Sequence, residues 1–236
     1  MYRRPQHRKI AAVLNALDAT FLEGMKCFFG GGTAISLQLD EYRQSDDIDL
    51  LCADHDGYRR LRQSVFDNGL RDLFPGGVET LRDVRADRDG VRTVLKLDDT
   101  PIKFEIVAEG RIPLVGASVD GIPVPCLSRV DMFAEKLLAN ADRYLDKSVM
   151  SRDVLDLVVM QSKWGEIPAQ AWQKAESAYG TSVRIALSRA REMLQADTAY
   201  FELCLQKMAF DGGVASWLRQ ELAKQAARPP SKRRPK

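Results

Sequence analysis

Two aspartates two residues apart, Asp47 and Asp49, sit in an apolar run shortly after the segment Phe28-Phe29-Gly30-Gly31-Gly32-Thr33. Alternate side chains of a β-strand share a face, so both carboxylates would point the same way. Paired carboxylates are hard-oxygen donors suited to Mg²⁺, with Mn²⁺ as an alternative. Gly31 and Gly32 would let backbone N–H groups approach a phosphate chain, with a helix N-terminus behind them. The hydroxyls of Thr33 and Ser45 suit phosphate oxygens. A phosphate cradle beside a metal dyad is equipment for nucleotidyl transfer, where positioning and charge neutralisation do most of the work. Such a site wants a third carboxylate. Glu105 in Ile102-Lys103-Phe104-Glu105-Ile106-Val107 is the candidate, on the strand face opposite Ile102, Phe104 and Ile106. Asp46 alternates to the other face from Asp47 and is expected to cap or pair near Arg43.

These groups need elements to hold them. Ile10, Val13, Leu14, Leu17 and Phe21 recur at helical spacing, which predicts one amphipathic helix over residues 6–24. A short strand over 26–29 runs into the glycines, and a helix is expected from Thr33 to Asp40. The strand with the acids covers 46–53, and 58–73 reads as an outer helix. Period-two runs at 78–84 and 91–97 flank Asp89-Gly90, a hairpin signal. Strands follow at 101–108, 114–119 and 122–125. Helical patterns then occupy 128–145, 151–163, 168–179, 181–195, 198–208 and 212–225. On helix 128–145, Lys136, Asn140 and Arg143 form a polar stripe opposite Ala134, Leu138, Ala141 and Leu145. Asp153 falls in the first turn of its helix, with Ser151 as the expected N-cap. The expected architecture is α+β: a nucleotide-binding domain over 1–126, a helical domain over 127–225 and a basic disordered tail over 226–236.

The motifs Gly-Gly-Thr, then Arg43-x-Ser45-x-Asp47-Ile48-Asp49, resemble those of the DNA polymerase β-like nucleotidyltransferase superfamily, and more closely its AbiEii/AbiGii toxin branch. Lys136-x2-Ala139-x3-Arg143, followed by Arg152-Asp153-x2-Asp156-Leu157, is similar to a later motif pair of that branch. The resemblance spans roughly residues 28–157. It implies a mixed sheet with flanking helices followed by an all-helical C-terminal domain. It also implies catalytic roles for Asp47, Asp49, Glu105, Lys136 and Asp153. Asp47, Asp49 and Glu105 would bind Mg²⁺; Gly31, Gly32, Thr33, Ser45 and Lys136 would bind the NTP. The implied acceptor is the 3′ end of tRNA or another RNA, and the implied partner is a cognate antitoxin. A phosphoryl group on Ser45 would bring about −1.5 to −2 charges into the triphosphate pocket and silence it.

Composition narrows the alternatives. With 45% hydrophobic and 29% charged residues the chain reads as an ordinary globular protein, and no apolar run approaches a membrane span. The N-terminus lacks a signal-peptide core, so the cytoplasm is expected. Four scattered cysteines form no Cys-x-x-Cys pair, and there is no P-loop motif. His7 and His55 have no partner constellation in the sequence. The net charge of +2 conceals an asymmetry: five basic residues in the last eleven and four in the first nine leave residues 10–225 at −7. Basic ends on an acidic body could touch an anionic polymer. Arg184, Arg189 and Arg191 are further candidates for an RNA backbone. A groove joining Arg184 and Arg191 to Arg143 would favour RNA; an acidic cleft would favour a small molecule such as an antibiotic. A protein acceptor, or a catalytically silent binding partner, completes the set.

Overall fold

The computed structural model describes residues 2–226. Eight strands form one mixed sheet: β1 (Cys27–Gly30), β2 (Ile48–Cys52), β3 (Glu79–Thr80), β4 (Arg85–Ala86), β5 (Gly90–Leu97), β6 (Thr100–Ala108), β7 (Gly116–Val119) and β8 (Ile122–Leu127). Their order is β3-β5-β6-β2-β1-β8-β7, with β4 on β5. β2 runs antiparallel to β1 and parallel to β6. This places the short acid-bearing strand centrally, with both edges hydrogen-bonded. Its residues Ile48, Leu50, Leu51 and Cys52 are buried.

The expected α+β mixed sheet with flanking helices is present. The first helix is two: α1 (Pro5–Ala16) and α2 (Ala19–Gly24). Asp18 divides them, accepting a hydrogen bond from the Phe21 amide as the α2 N-cap. Leu14, Leu17 and Leu22 are buried on both sides of the break, so apolar spacing alone runs through it. α3 (Gly31–Gln38) starts at the glycines, two residues earlier than Thr33, and α4 is His55–Asn68. Of the expected 78–84 strand only Glu79–Thr80 pairs. The hairpin partner of β5 is instead Arg85–Ala86, with Asp87 accepting from the amides of Asp89 and Gly90 in the turn. Cys27 and Cys52 face each other across β1 and β2 as buried free thiols.

Helices α5 (Arg129–Arg143), α6 (Arg152–Trp164), α7 (Ala169–Tyr179), α8 (Ser182–Ala196), α9 (Thr198–Lys207) and α10 (Gly212–Ala226) follow. α5 packs on α6, α7 and α8, while α3 bridges the sheet to α5 and α6. That bridge brings β2 and α5 to opposite sides of one cleft. The polar stripe of α5 does not face solvent: Lys136 and Asn140 are buried, as are Ala134 and Leu138, while Leu145 is exposed. The interior takes both faces of this helix. The expected disordered tail lies, but for Ala226, outside the described residues.

Candidate active site

The cleft holds about 240 Å³ between the sheet and α5. Asp47, Asp49 and Glu105 line its sheet side together with Gly31, Gly32 and Ser45. The strand begins at Ile48, so Asp47 and Ser45 reach the cleft from the preceding loop. Asp49 and Glu105 sit side by side in register on the parallel strands β2 and β6. The glycines are needed here for contact. Gly31 has φ +69°, and a Cβ on it would lie 2.5 Å from Asp49 Oδ2. A Cβ on Gly32 would run into the Arg43 guanidinium. The start of α3 is thereby pressed against an aspartate on one side and an arginine on the other. Thr33 lies beneath, its Oγ1 donating to the Asp47 carbonyl and lying 2.8 Å from Ser45 Oγ, whose hydroxyl can donate to it. It is buried and ties the glycine turn to the aspartate loop.

The three acids differ in their neighbours. No described residue donates a hydrogen bond to, or forms an ion pair with, the Asp47 or Asp49 carboxylate. Burial raises the Asp49 pKa, and the neighbouring Asp47 adds to this. Glu105 is held by Arg92 (2.6 Å) and Lys103 (2.9 Å). Burial would raise its carboxyl, but Lys103 and Arg92 outweigh that and lower it. Among the described residues no three His, Cys, Asp or Glu side chains are grouped closely enough to hold a metal ion. Two bare carboxylates fit a divalent cation, while Glu105 is already neutralised by protein cations. Asp46 accepts from Gln44 Nε2 (2.9 Å) and does not pair with Arg43.

Arg43 instead crosses to α6. Its Nε and Nη2 bind the two oxygens of Asp156 at 2.7 and 2.9 Å. Lys136 Nζ bridges Asp156 (2.6 Å) and Asp153 (2.9 Å), and Arg143 grips Asp153 at 2.7 and 3.0 Å. Burial would raise both aspartates, but the surrounding cations hold them below the usual carboxylate range. Tyr42 donates to Asp156 as well. Three cations against two anions leave this network one positive charge, facing the bare aspartates across the cleft. Lys136 and Asp153 therefore meet as a buried pair. Arg43 and Asp156, which complete the network, carried no assigned role in the sequence, although both stand in the quoted motifs. Ser151 occupies the N-cap position of α6, but its hydroxyl meets Tyr200 (3.1 Å) and does not cap.

Other groups were less visible in the sequence. His7 is buried, its Nδ1 2.9 Å from Glu41 and its Nε2 accepting from the Ser45 amide at 3.2 Å. Burial lowers its pKa, and the neutral ring braces the aspartate loop from behind. At the far end of the cleft Arg111 binds Glu109, Glu135 and Asp142. Burial pushes Glu135 up to about 8, helped by Glu109. Arg184, Arg189 and Arg191 form no groove with Arg143: Arg184 binds Glu176 and stacks on Trp172, and Arg191 donates to Gln161. None of the three lines the cleft.

Comparison with known proteins gives the family and supports the fold. The sequence model of the nucleotidyl transferase AbiEii toxin family, of type IV toxin–antitoxin systems, matches residues 13–221. No curated protein matches the chain. Among solved structures, an antigenic nucleotidyltransferase-like protein from Paracoccidioides brasiliensis is similar at TM-score 0.50 and 16% identity, covering 86% of this chain and 94% of its own. That likeness supports the fold. JHP933 from Helicobacter pylori aligns at TM-score 0.38 and 16% identity, over 83% of this chain and 98% of its own. The nucleotidyltransferase toxin MenT4 from Mycobacterium tuberculosis aligns at TM-score 0.32 and 15% identity, over 95% and 94%. No helix among the described residues is long and apolar enough to cross a membrane.

Proposed function

The chain belongs to the AbiEii nucleotidyl transferase toxin family, and from that premise we propose that its cleft transfers a nucleoside monophosphate from NTP to the 3′ end of an RNA, tRNA foremost. The family makes it a nucleotidyltransferase using an NTP and makes an antitoxin its counterpart. In the proposed reaction the acceptor hydroxyl oxygen bonds to the α-phosphorus. The bond from that phosphorus to the bridging oxygen breaks, pyrophosphate leaves with the electron pair, and the hydroxyl proton passes to solvent.

One observation carries the reading: bare Asp49 abuts the glycine start of α3 and, with bare Asp47, faces a cationic network across a single cleft. The N-terminus of α3 favours phosphate, as aligned amides do. Asp47 and Asp49 would hold the divalent cation, Mg²⁺ by its preference for hard oxygens, which would supply charge neutralisation at the phosphates. Glu105 joins them only by exchanging Arg92 and Lys103. Gly31, Gly32 and Ser45 would seat the triphosphate; Thr33, expected to join them, is buried with its hydroxyl on the Asp47 carbonyl and would brace the turn from beneath. Lys136 and Arg143 would meet the triphosphate from the other wall, with Asp153 holding both in place.

The test is incubation with each α-labelled NTP, Mg²⁺ and total cell RNA, read on a denaturing gel. Label in an RNA band supports the reading. Label in a small molecule or a protein would replace the acceptor, and no incorporation into any fraction would overturn the activity.

A further inference from the structure

A second hollow, of about 290 Å³, adjoins the cleft and shares Arg43, Ser45, Asp47 and Arg152 with it. Its far walls are Ser148–Met150, ahead of α6, and Lys207–Ala209 at the end of α9. Its cations set it apart. Arg43, Lys103, Arg111, Lys136 and Arg143, which line the cleft, are each bound to a carboxylate. Arg152 is the remaining cation of the cleft, and its guanidinium has no hydrogen-bond or ion-pair partner among the described residues. The Lys207 ammonium has none either. Both face the second hollow. The acids there are Asp46, engaged by Gln44, and Asp47 of the bare pair.

An in-line displacement puts the attacking oxygen and the departing pyrophosphate on opposite sides of the α-phosphorus. A nucleotide seated in the cleft against the α3 glycines and Asp47 blocks the approach from its own side. The second hollow reaches Asp47 by a separate route. Cations with no protein partner also offer a phosphate their full charge, whereas the paired cations of the cleft share theirs with a carboxylate. We propose that this hollow is the acceptor's docking site. Its occupant is the phosphodiester backbone of a single-stranded RNA end, gripped by Arg152 and Lys207 while the terminal hydroxyl reaches Asp47. This rests on the nucleotide occupying the cleft as proposed above.

The test uses the full chain and a fluorescent single-stranded RNA ending in a free 3′ hydroxyl. Binding is read by anisotropy over a salt series, and the KM for RNA and for NTP are measured separately. Two variants probe the hollow from its outer walls: Lys207→Glu changes its charge, and Ser148→Trp fills it from an exposed position. Lys207→Glu should weaken RNA binding about tenfold and flatten the log–log salt slope by about 0.7 for the lost phosphate contact. Ser148→Trp should raise the KM for RNA without flattening the slope. Neither should move the KM for NTP. Unchanged RNA affinity in both variants would overturn the docking site, as would equal rises in both KM values. Equal displacement of the RNA by an acidic peptide of the same charge would overturn the RNA assignment. If the wild type binds RNA through Lys207 but transfers nothing to it, the proposed reaction falls and the docking site stands. If it labels RNA and both variants match it, the docking site falls and the reaction stands.

Discussion

The two walls of the cleft both carry paired aspartates, and the chain treats them in opposite ways. On α6, Asp153 and Asp156 are buried, and three cations surround them at 2.6–3.0 Å. On the sheet side, neither Asp49 on β2 nor Asp47 in the loop before it has an ion-pair partner among the described residues. Neutralised acids fix the cations they hold, so Lys136 and Arg143 are kept in place before any substrate arrives. Bare acids in a half-buried site repel each other and favour whatever cation enters. Acids of one wall are counter-charges to fixed cations, and those of the other are, in the proposed reading, the cation site. Glu105 lies between these types, in register with Asp49 but already paired.

Breaking the bare wall should have the largest effect. Asp47→Asn or Asp49→Asn should lower turnover by about three orders of magnitude, the scale set by losing a charge-stabilising group in a polar site. Stability to urea should hold or rise, because like-charge repulsion is relieved. A stability loss matching that of an α6 aspartate would erase the distinction between the walls.

Breaking the neutralised wall should show first in folding. Asp156→Ala leaves Arg43 and Lys136 short of a buried partner and should cost about 3–5 kcal/mol, read from denaturant unfolding. The pH dependence has a definite sign. Asp153 and Asp156 have folded pKa values below their unfolded ones, so their contribution is present above about pH 4. It is lost as pH falls towards the folded values. Asp156→Ala should flatten that acid limb.

Lys136→Ala tests whether the fixed cation also serves the substrate. A desolvated charge-assisted contact is worth about 1.5–3 kcal/mol, so kcat/KM should fall at least about tenfold. A fall of less than about threefold would confine Lys136 to tying Asp153 to Asp156. The smallest effect belongs to Glu105→Gln. A carboxylate that keeps its partly exposed cations should cost less than about tenfold in turnover, as its ion pairs are weak. A loss equal to that of Asp49→Asn would show that Glu105 leaves Arg92 and Lys103 to join the bare pair.

Much of this site was legible as local pattern. The glycine run, the Asp-x-Asp spacing and the apolar alternation of 102–107 are short-range signals, and the strands and helices that carry them stand within a few residues of the expected places. What pairs with what was not legible. Arg43 and Asp156 are 113 positions apart and meet only because α3 bridges the sheet to α6. His7 meets Ser45 only once α1 packs behind the aspartate loop. The break at Asp18 was missed because apolar spacing continues across it, although Asp18 is itself a helix-capping residue. Lys136 read as one side of an amphipathic helix, whereas α5 is enclosed on both faces. Burial of a charge depends on a partner that local spacing does not reveal.

The most direct test of the central claim, that bare Asp47 and Asp49 make this cleft a nucleotidyl-transfer site, is transfer from α-labelled against γ-labelled NTP across a Mg²⁺ titration. The wild type, Asp47→Asn and Asp49→Asn are compared after each is confirmed folded by circular dichroism. The account predicts incorporation of the α label only, dependent on Mg²⁺ and lost in both variants. Incorporation by either variant at the wild-type rate, or transfer of the γ label, would contradict it.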